Sequence, residues 1–178
     1  MDLYNLKKNK LEEVDRVNFK LEKEIQTLVE ENVEILFNLE FISSEFSVSS
    51  FRLDSLCFDN ETNSFVVIEY KRGSSYSVID QGYSYMSTML NNKSDFILEY
   101  IEKTGKSLKK SDVDFSQSRI LFVSPSFNSY QKNSVNFKDV PFELWEIKKY
   151  SNGTIGLDQH LSSSKKSIEV VEGNKNSV

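Results

Sequence analysis

Three residue types in the middle of the chain could together support metal-assisted chemistry. Asp54 and Glu69 are carboxylates, and Lys71 follows two residues after Glu69. Carboxylate oxygens are the ligands that Mg²⁺ prefers in proteins, and a neighbouring lysine can orient or deprotonate a water molecule or bind a phosphate. Such a set suits hydrolysis of a phosphodiester bond, provided that folding brings the three side chains together.

A β-hairpin in the predicted strand register would bring the two carboxylates together. Two strand-like segments flank residues 59–64, whose composition is that of a turn throughout. Closing that turn places Asp54 opposite Glu69, with Cβ atoms about 4.5–5.5 Å apart. Lys71 shares their face because alternate strand residues point the same way. The other opposed pairs on this face are Phe58 with Phe65 and Leu56 with Val67.

The register and the reading of the charges each have an alternative. A slip of the register by two residues would leave the carboxylates diagonal, whereas a slip by one would move the apolar residues off the core face. Glu69 and Lys71 could also form an ordinary ion pair at the end of a sheet. Against this, the charges interrupt residues 65–68, an apolar run typical of a central strand that is covered on both faces.

These motifs resemble the PD-(D/E)XK nuclease superfamily in its NucS-like and RecB-like branches. The resemblance rests on Asp54, on Glu69-x-Lys71 and on the Gln-x-x-x-Tyr element formed by Gln81 and Tyr85, and it covers roughly residues 24–157. Leu53 stands where the name-giving motif has proline. The resemblance implies an α/β fold with a restriction-endonuclease-like core, in which helices flank a mixed β-sheet in the order α-β-β-β-α-β.

The resemblance also implies a role for each matching residue. Asp54 and Glu69 would hold Mg²⁺ or Mn²⁺, with the backbone carbonyl of Tyr70 as a further ligand. Lys71 would assist the attacking water, and Gln81 would act beside it as a fourth catalytic residue. Tyr85 and Arg72 are expected to contact the substrate, and either Glu30 or Glu34 on the first helix is the candidate to complete the metal site.

Each of the less certain site residues has a structural alternative. Gln81 could simply belong to a polar helix start that Ser77 or Asp80 caps. Tyr85 could be an ordinary half-buried aromatic residue, which is the commoner role for tyrosine. The glutamates of the first helix could form a solvated face.

The remaining segments predict the frame around this site. Residues 1–15 read as an exposed lead-in or a helix start, and residues 106–118 read as a loop. Strands are predicted over residues 45–48, 52–58, 65–71, 119–124 and 142–150, the last turning into 154–157 as a hairpin, and helices over 15–37, 78–90, 95–104 and 127–137.

Composition sets further bounds on the protein. A chain of 178 residues with a net charge of −5, a single cysteine and no apolar run long enough to span a membrane predicts a cytoplasmic domain that makes no membrane contact. We expect a nuclease-like domain over residues 1–161 and a polar tail or linker over residues 162–178, which leaves room for a further C-terminal domain. The family pattern also leaves open a homodimer.

Two functions from different classes follow. The first is a metal-dependent DNA endonuclease, a hydrolase that acts on phosphodiester bonds. The alternative is a non-catalytic nucleic-acid-binding or assembly module on a nuclease fold, because an acidic chain is poorly suited to holding DNA by charge alone. A plain interaction domain is a third reading. The sequence contains no phosphate-binding loop, dinucleotide fingerprint or clustered Cys and His residues for zinc.

Overall fold

A mixed β-sheet with helices on both faces forms the centre of the protein. The computed structural model describes residues 1–73, 77–137 and 139–163. The strands are β1 Leu3–Lys7, β2 Lys10–Val14, β3 Arg16–Val17, β4 Glu40–Val48, β5 Phe51–Asp59, β6 Ser64–Tyr70, β7 Arg119–Ser124, β8 Phe142–Tyr150 and β9 Ile155–His160. The helices are α1 Glu22–Glu30, α2 Val33–Phe37, α3 Val78–Asn91, α4 Lys93–Thr104 and α5 Ser129–Ser134. The predicted α/β class and its α-β-β-β-α-β order are confirmed.

The sheet runs in the order β4-β5-β6-β7-β8-β9, and the short β3 pairs with the end of β8. The β6–β7 and β7–β8 pairs are parallel, and the other pairs are antiparallel. All seven residues of β6 are buried, which explains why this segment shows no alternation of apolar and polar residues. The prediction of a central strand at this position is confirmed.

The predicted register of the β5–β6 hairpin is confirmed as far as the two strands stay paired. Phe58 lies opposite Phe65 and Leu56 opposite Val67, and Ser55 opposite Ile68 is the last pair. The faces differ in what covers them. Leu56, Phe58, Phe65 and Val67 pack with α3 and α4, whereas Cys57, Val66, Ile68 and Tyr70 pack with α1.

The single helix predicted over residues 15–37 is wrong. Its first part contains β3, and the remainder is divided into α1 and α2 at Asn32. The Asn32 side chain donates a hydrogen bond to the Leu28 carbonyl at 2.8 Å, and its backbone leaves the helical region with a φ of −130°. Asparagine competes with helical hydrogen bonds in this way, and periodicity alone does not register it.

The N-terminal segment is a β-hairpin, so the predicted helix start is wrong, whereas the exposure expected of a lead-in is observed along β1 and β2 up to Val14. Lys8 and Asn9 connect β1 to β2, and both have positive φ angles, 46° and 65°. Two consecutive residues with positive φ form a two-residue hairpin turn whose twist matches that of the flanking strands. The sequence lacks the glycine that usually indicates such a turn.

Residues 164–178, most of the predicted tail, lie outside the described residues. None of the described helices is long and apolar enough to cross a membrane.

Gly82 lets α3 approach the sheet closely, and this contact generates a prediction. A Cβ atom at this position would lie 2.6 Å from Cε1 of the buried Phe142 ring, which also packs edge-on against Tyr83 and Phe122. We expect Gly82→Ala to reduce the free energy of unfolding by about 1–2 kcal/mol, because overpacking outweighs the gain in helix propensity. Urea unfolding measures this. Ser87→Ala, at an exposed position of the same helix, is the control, and a Gly82→Ala variant as stable as that control would contradict the prediction.

Candidate active site

Four of the predicted site residues meet at the end of β6, beside the start of α3. The Lys71 Nζ donates to Glu69 Oε1 at 2.8 Å, and the Gln81 Nε2 donates to the same oxygen at 2.6 Å. The Gln81 amide also donates to the Tyr85 hydroxyl at 2.9 Å. Glu69 is only 4% exposed. Gln81 therefore contacts the glutamate directly, while Ser77 caps α3 by accepting a hydrogen bond from the Asp80 N–H.

The second oxygen of Glu69 is unusual. Its Oε2 atom is buried and has no hydrogen-bond partner among the described residues. A buried carboxylate oxygen without a partner costs free energy, so an orphan of this kind calls for an explanation such as a bound ion. Because Lys71 and Gln81 both bond to Oε1, the whole unsatisfied capacity of the carboxylate is concentrated on Oε2.

Asp54 lies within electrostatic reach of Glu69. Burial raises the pKa of Asp54 to about 7, and repulsion from Glu69 adds to the increase, while the Tyr70 N–H and Lys71 act in the opposite direction. The Tyr70 N–H donates to Asp54 Oδ2 at 3.1 Å. A half-buried carboxyl with a raised pKa beside a buried second carboxylate fits a hard divalent cation such as Mg²⁺ or Mn²⁺, because the cation would offset the repulsion between them.

A second Glu-x-Lys pair in the chain provides an internal comparison. Glu146 and Lys148 lie on β8, and their Oε2–Nζ distance is 3.0 Å. Both oxygens of Glu146 have partners, since Oε1 accepts from Lys132 and from the Phe127 N–H. Burial works against ionisation of Glu146, but the hydrogen bonds from Lys132 and Lys148 outweigh it and lower its pKa. Glu146 is thus a satisfied structural carboxylate, whereas Glu69 is not.

The two first-helix candidates lie away from this carboxylate pair. Glu30 is on the opposite face of the sheet, where its Oε1 accepts from Ser55 Oγ at 2.6 Å and from Gln26 Nε2 at 2.9 Å. Glu34 is exposed on α2. No three acidic, histidine or cysteine side chains are gathered around one point in the described parts of the chain.

Arg72 points toward the start of α1. Its guanidinium donates to the Lys20 carbonyl, and its backbone N–H donates to Glu22 at 2.8 Å. The side chain is exposed, so it connects two surface segments and does not line the buried carboxylates. Tyr85, in contrast, is buried, and its ring packs edge-on against Phe51 with centroids 5.9 Å apart.

Two residues near Asp54 were missed by the sequence analysis. Gln26 on α1 is 5% exposed, and its Nε2 donates to the Asp54 backbone carbonyl at 3.0 Å. Glu45 on β4 contributes to the repulsion that raises the pKa of Asp54, and its φ is +56°. Gln26 had a detectable signal, because it is a polar residue beside Ile25 on the apolar face of an amphipathic helix. Glu45 had none.

Comparisons with known proteins give one relative by sequence and several by structure. The chain is 48% identical over 176 residues to an uncharacterized protein of Haemophilus influenzae, covering 98% of this chain and 58% of that protein. No protein-family model matches. EndoMS in its apo form superposes with a TM-score of 0.47 at 20% identity over 82% of this chain and 64% of EndoMS. A repair endonuclease from Pyrococcus abyssi superposes with a TM-score of 0.40 at 20% identity over 74% of this chain and 50% of that protein. The chain thus spans half to two thirds of the length of each of these proteins.

The raised pKa of Asp54 predicts a pH-dependent stability in metal-free protein. A folded-state pKa of about 7, against an ordinary value of 3.8, means that folding favours the protonated carboxyl. This contribution is complete below about pH 4 and is lost as the pH rises through 7. We therefore expect Asp54→Asn, measured in EDTA, to be more stable than wild type at pH 8. The difference should be about 1–2 kcal/mol, since one pKa unit corresponds to about 1.36 kcal/mol and water screens part of the interaction.

Thermal unfolding at pH 4, 6 and 8 measures this prediction. The gap between Asp54→Asn and wild type should shrink toward acidic pH, where both side chains are neutral. Glu146→Gln is the matched control, because Glu146 has a lowered pKa and its substitution should destabilise the protein at pH 8. A wild-type protein that is more stable than Asp54→Asn at pH 8 without metal would contradict the prediction.

Proposed function

We propose that this chain is the nuclease domain of a metal-dependent DNA endonuclease, a hydrolase acting on phosphodiester bonds. The observation that supports this most directly is the buried Oε2 of Glu69, which has no hydrogen-bond partner among the described residues and lies near Asp54, whose pKa is raised. The other Glu-x-Lys ion pair leaves no such oxygen, since both oxygens of Glu146 have partners.

Asp54 and Glu69 are the residues that would hold Mg²⁺ or Mn²⁺, and the backbone carbonyl of Tyr70 is the proposed third protein ligand. When bound, the cation would supply positive charge to stabilise the negative charge that develops on the scissile phosphate. Gln81 and Lys71 both bond to Glu69 Oε1, so they orient the carboxylate with Oε2 left for the cation. Neither Glu30 nor Glu34 is needed as a ligand in this proposal, since waters and phosphate oxygens usually complete a Mg²⁺ shell.

Lys71 carries the second part of the proposed chemistry. Its side chain is 13% exposed, so the ammonium group is shielded from bulk water while Glu69 holds it at 2.8 Å. A fixed ammonium group beside the two carboxylates can orient the attacking water and contact the phosphate that it attacks. Tyr85 holds Gln81 in place through its hydroxyl, and contact with the substrate is its further proposed role.

The remaining expectations belong to the same proposal. DNA is the proposed substrate. We also propose that the protein assembles as a homodimer and acts in the cytoplasm. The Haemophilus influenzae relative is longer, since this chain covers 58% of it. A further C-terminal domain is also part of this proposal.

Cleavage of labelled DNA tests the proposal. The panel contains duplex, mismatched, branched and single-stranded DNA, each with Mg²⁺, Mn²⁺ or EDTA. We expect metal-dependent cleavage that falls at least about 100-fold in Glu69→Gln and in Lys71→Met, because a metal ligand and the water-orienting group are lost. Lys148→Met is the matched control, since it removes the lysine of the other Glu-x-Lys pair, and it should cleave like wild type.

The other outcomes discriminate between the two functions. Salt-dependent DNA binding without cleavage on any substrate would support the non-catalytic binding module instead. Cleavage that survives both substitutions, in protein whose circular dichroism is unchanged, would mean that the active site lies elsewhere.

A further inference from the structure

The β-sheet hydrogen-bonding ladder has a gap at Asp54. On one side, Ser44 lies opposite Ser55 and Phe46 opposite Leu53, so the pairing with β4 passes over Asp54. Glu45, which would face it, has a left-handed φ of +56°. On the other side, the pairing with β6 ends at Ser55. The backbone of Asp54 is therefore not held by regular pairing with either neighbouring strand.

The side chain of Gln26 fills this gap from α1. Its Nε2 lies within hydrogen-bond distance of three acceptors that share its two N–H groups: the Asp54 carbonyl at 3.0 Å, Ser44 Oγ at 3.1 Å and Glu30 Oε1 at 2.9 Å. The carboxamide thus reaches an acceptor on β4, one on β5 and one on its own helix. Because Gln26 is 5% exposed, these bonds are protected from competition with water.

Glu30 extends the same network to the strand that carries Glu69. Its Oε1 accepts from Ser55 Oγ at 2.6 Å, and that hydroxyl lies 2.9 Å from the Tyr70 hydroxyl. Ser55 follows Asp54 and Tyr70 follows Glu69, so the network holds both strands from behind at the positions next to the two carboxylates. Ser55 is fully buried and Tyr70 is 1% exposed, which makes this a polar connection inside an apolar layer.

We propose that Gln26 is a positioning residue for the metal site and that Glu30 is its anchor. Asp54 has no regular strand partner on either side, so its backbone is not held against the repulsion from Glu69 by the sheet itself. Gln26 supplies this support by donating to the Asp54 carbonyl from the opposite face of the sheet. The inference rests on the proposed function, because the distance that Gln26 maintains is the one at which both carboxylates share a cation.

Mn²⁺ binding to the whole chain, measured by calorimetry and by electron paramagnetic resonance, tests this without any assay of activity. Gln26→Met keeps the volume of the side chain but removes the donor. We expect its Mn²⁺ affinity to fall about 10–100-fold, as is typical when an outer-shell hydrogen bond to a metal site is lost. Gln26→Asn, whose shorter amide cannot reach the Asp54 carbonyl, should show the same loss and serves if Gln26→Met does not fold.

Two further variants separate positioning from general stability and from ligation. Gln131 is also buried, at 1% exposure, but its hydrogen bonds cap α5, so Gln131→Met should lose stability while its Mn²⁺ affinity stays within about twofold of wild type. Glu30→Gln keeps an acceptor for Ser55 and Gln26, so it should bind Mn²⁺ within about threefold of wild type. Glu69→Gln, which replaces a proposed ligand, should lose affinity most strongly.

Each other result would overturn a specific statement. Wild-type affinity in Gln26→Met, with wild-type protein binding Mn²⁺ normally, would refute the positioning role and leave the proposed function intact. Loss of affinity in Glu30→Gln as large as that in Glu69→Gln would make Glu30 a ligand and refute its role as an anchor. Absence of Mn²⁺ binding in wild-type protein would refute the metal site itself, and the inference with it.

Discussion

Asp54 and Glu69 lie within electrostatic reach of each other on two neighbouring strands, where burial and repulsion from Glu69 both oppose the ionisation of Asp54. This repulsion destabilises the folded protein, and replacing either residue by a neutral one would remove it. Hydrogen bonds from several neighbouring residues hold the two carboxylates and their strands in position. Tyr70 donates its N–H to Asp54, Lys71 and Gln81 donate to Glu69, and Gln26 fixes the strand from behind. The Oε2 atom of Glu69 is left buried without a hydrogen-bond partner among the described residues, and a cation is the simplest group that would satisfy it.

The same three-residue motif occurs twice with different consequences. Glu69-x-Lys71 and Glu146-x-Lys148 each form an ion pair of similar length, at 2.8 Å and 3.0 Å. Glu146 has a second lysine and a backbone N–H within reach, so its charge is balanced and its pKa is lowered. Glu69 faces another carboxylate instead. The chemistry of the motif therefore depends on what the neighbouring strand presents, which a search for the motif alone does not reveal.

The two faces of the sheet contribute different residues to the candidate site. Helix α3 covers the face of the carboxylates and contributes Gln81, while α1 covers the other face and contributes Gln26 and Glu30. An acidic residue on the first helix can thus be connected to the site without entering it, because its hydrogen bonds pass through Ser55 to the strands. The hydrogen bonds of Gln26 and Glu30 thus support the strands from the face opposite to the one that α3 covers.

The sequence alone determined the central strands and the register of the β5–β6 hairpin as far as Ser55 and Ile68, because a turn of fixed length and a strand period of two leave little choice. The Gln81 contact followed from the motif resemblance, although periodicity did not require it. Only the tertiary structure decided that Glu30 faces the back of the sheet, since the rotation of a helix about its axis depends on packing with residues distant in sequence. The division of the first helix and the N-terminal hairpin also depended on local hydrogen bonds and positive φ angles at asparagines and a lysine, which apolar patterning does not encode.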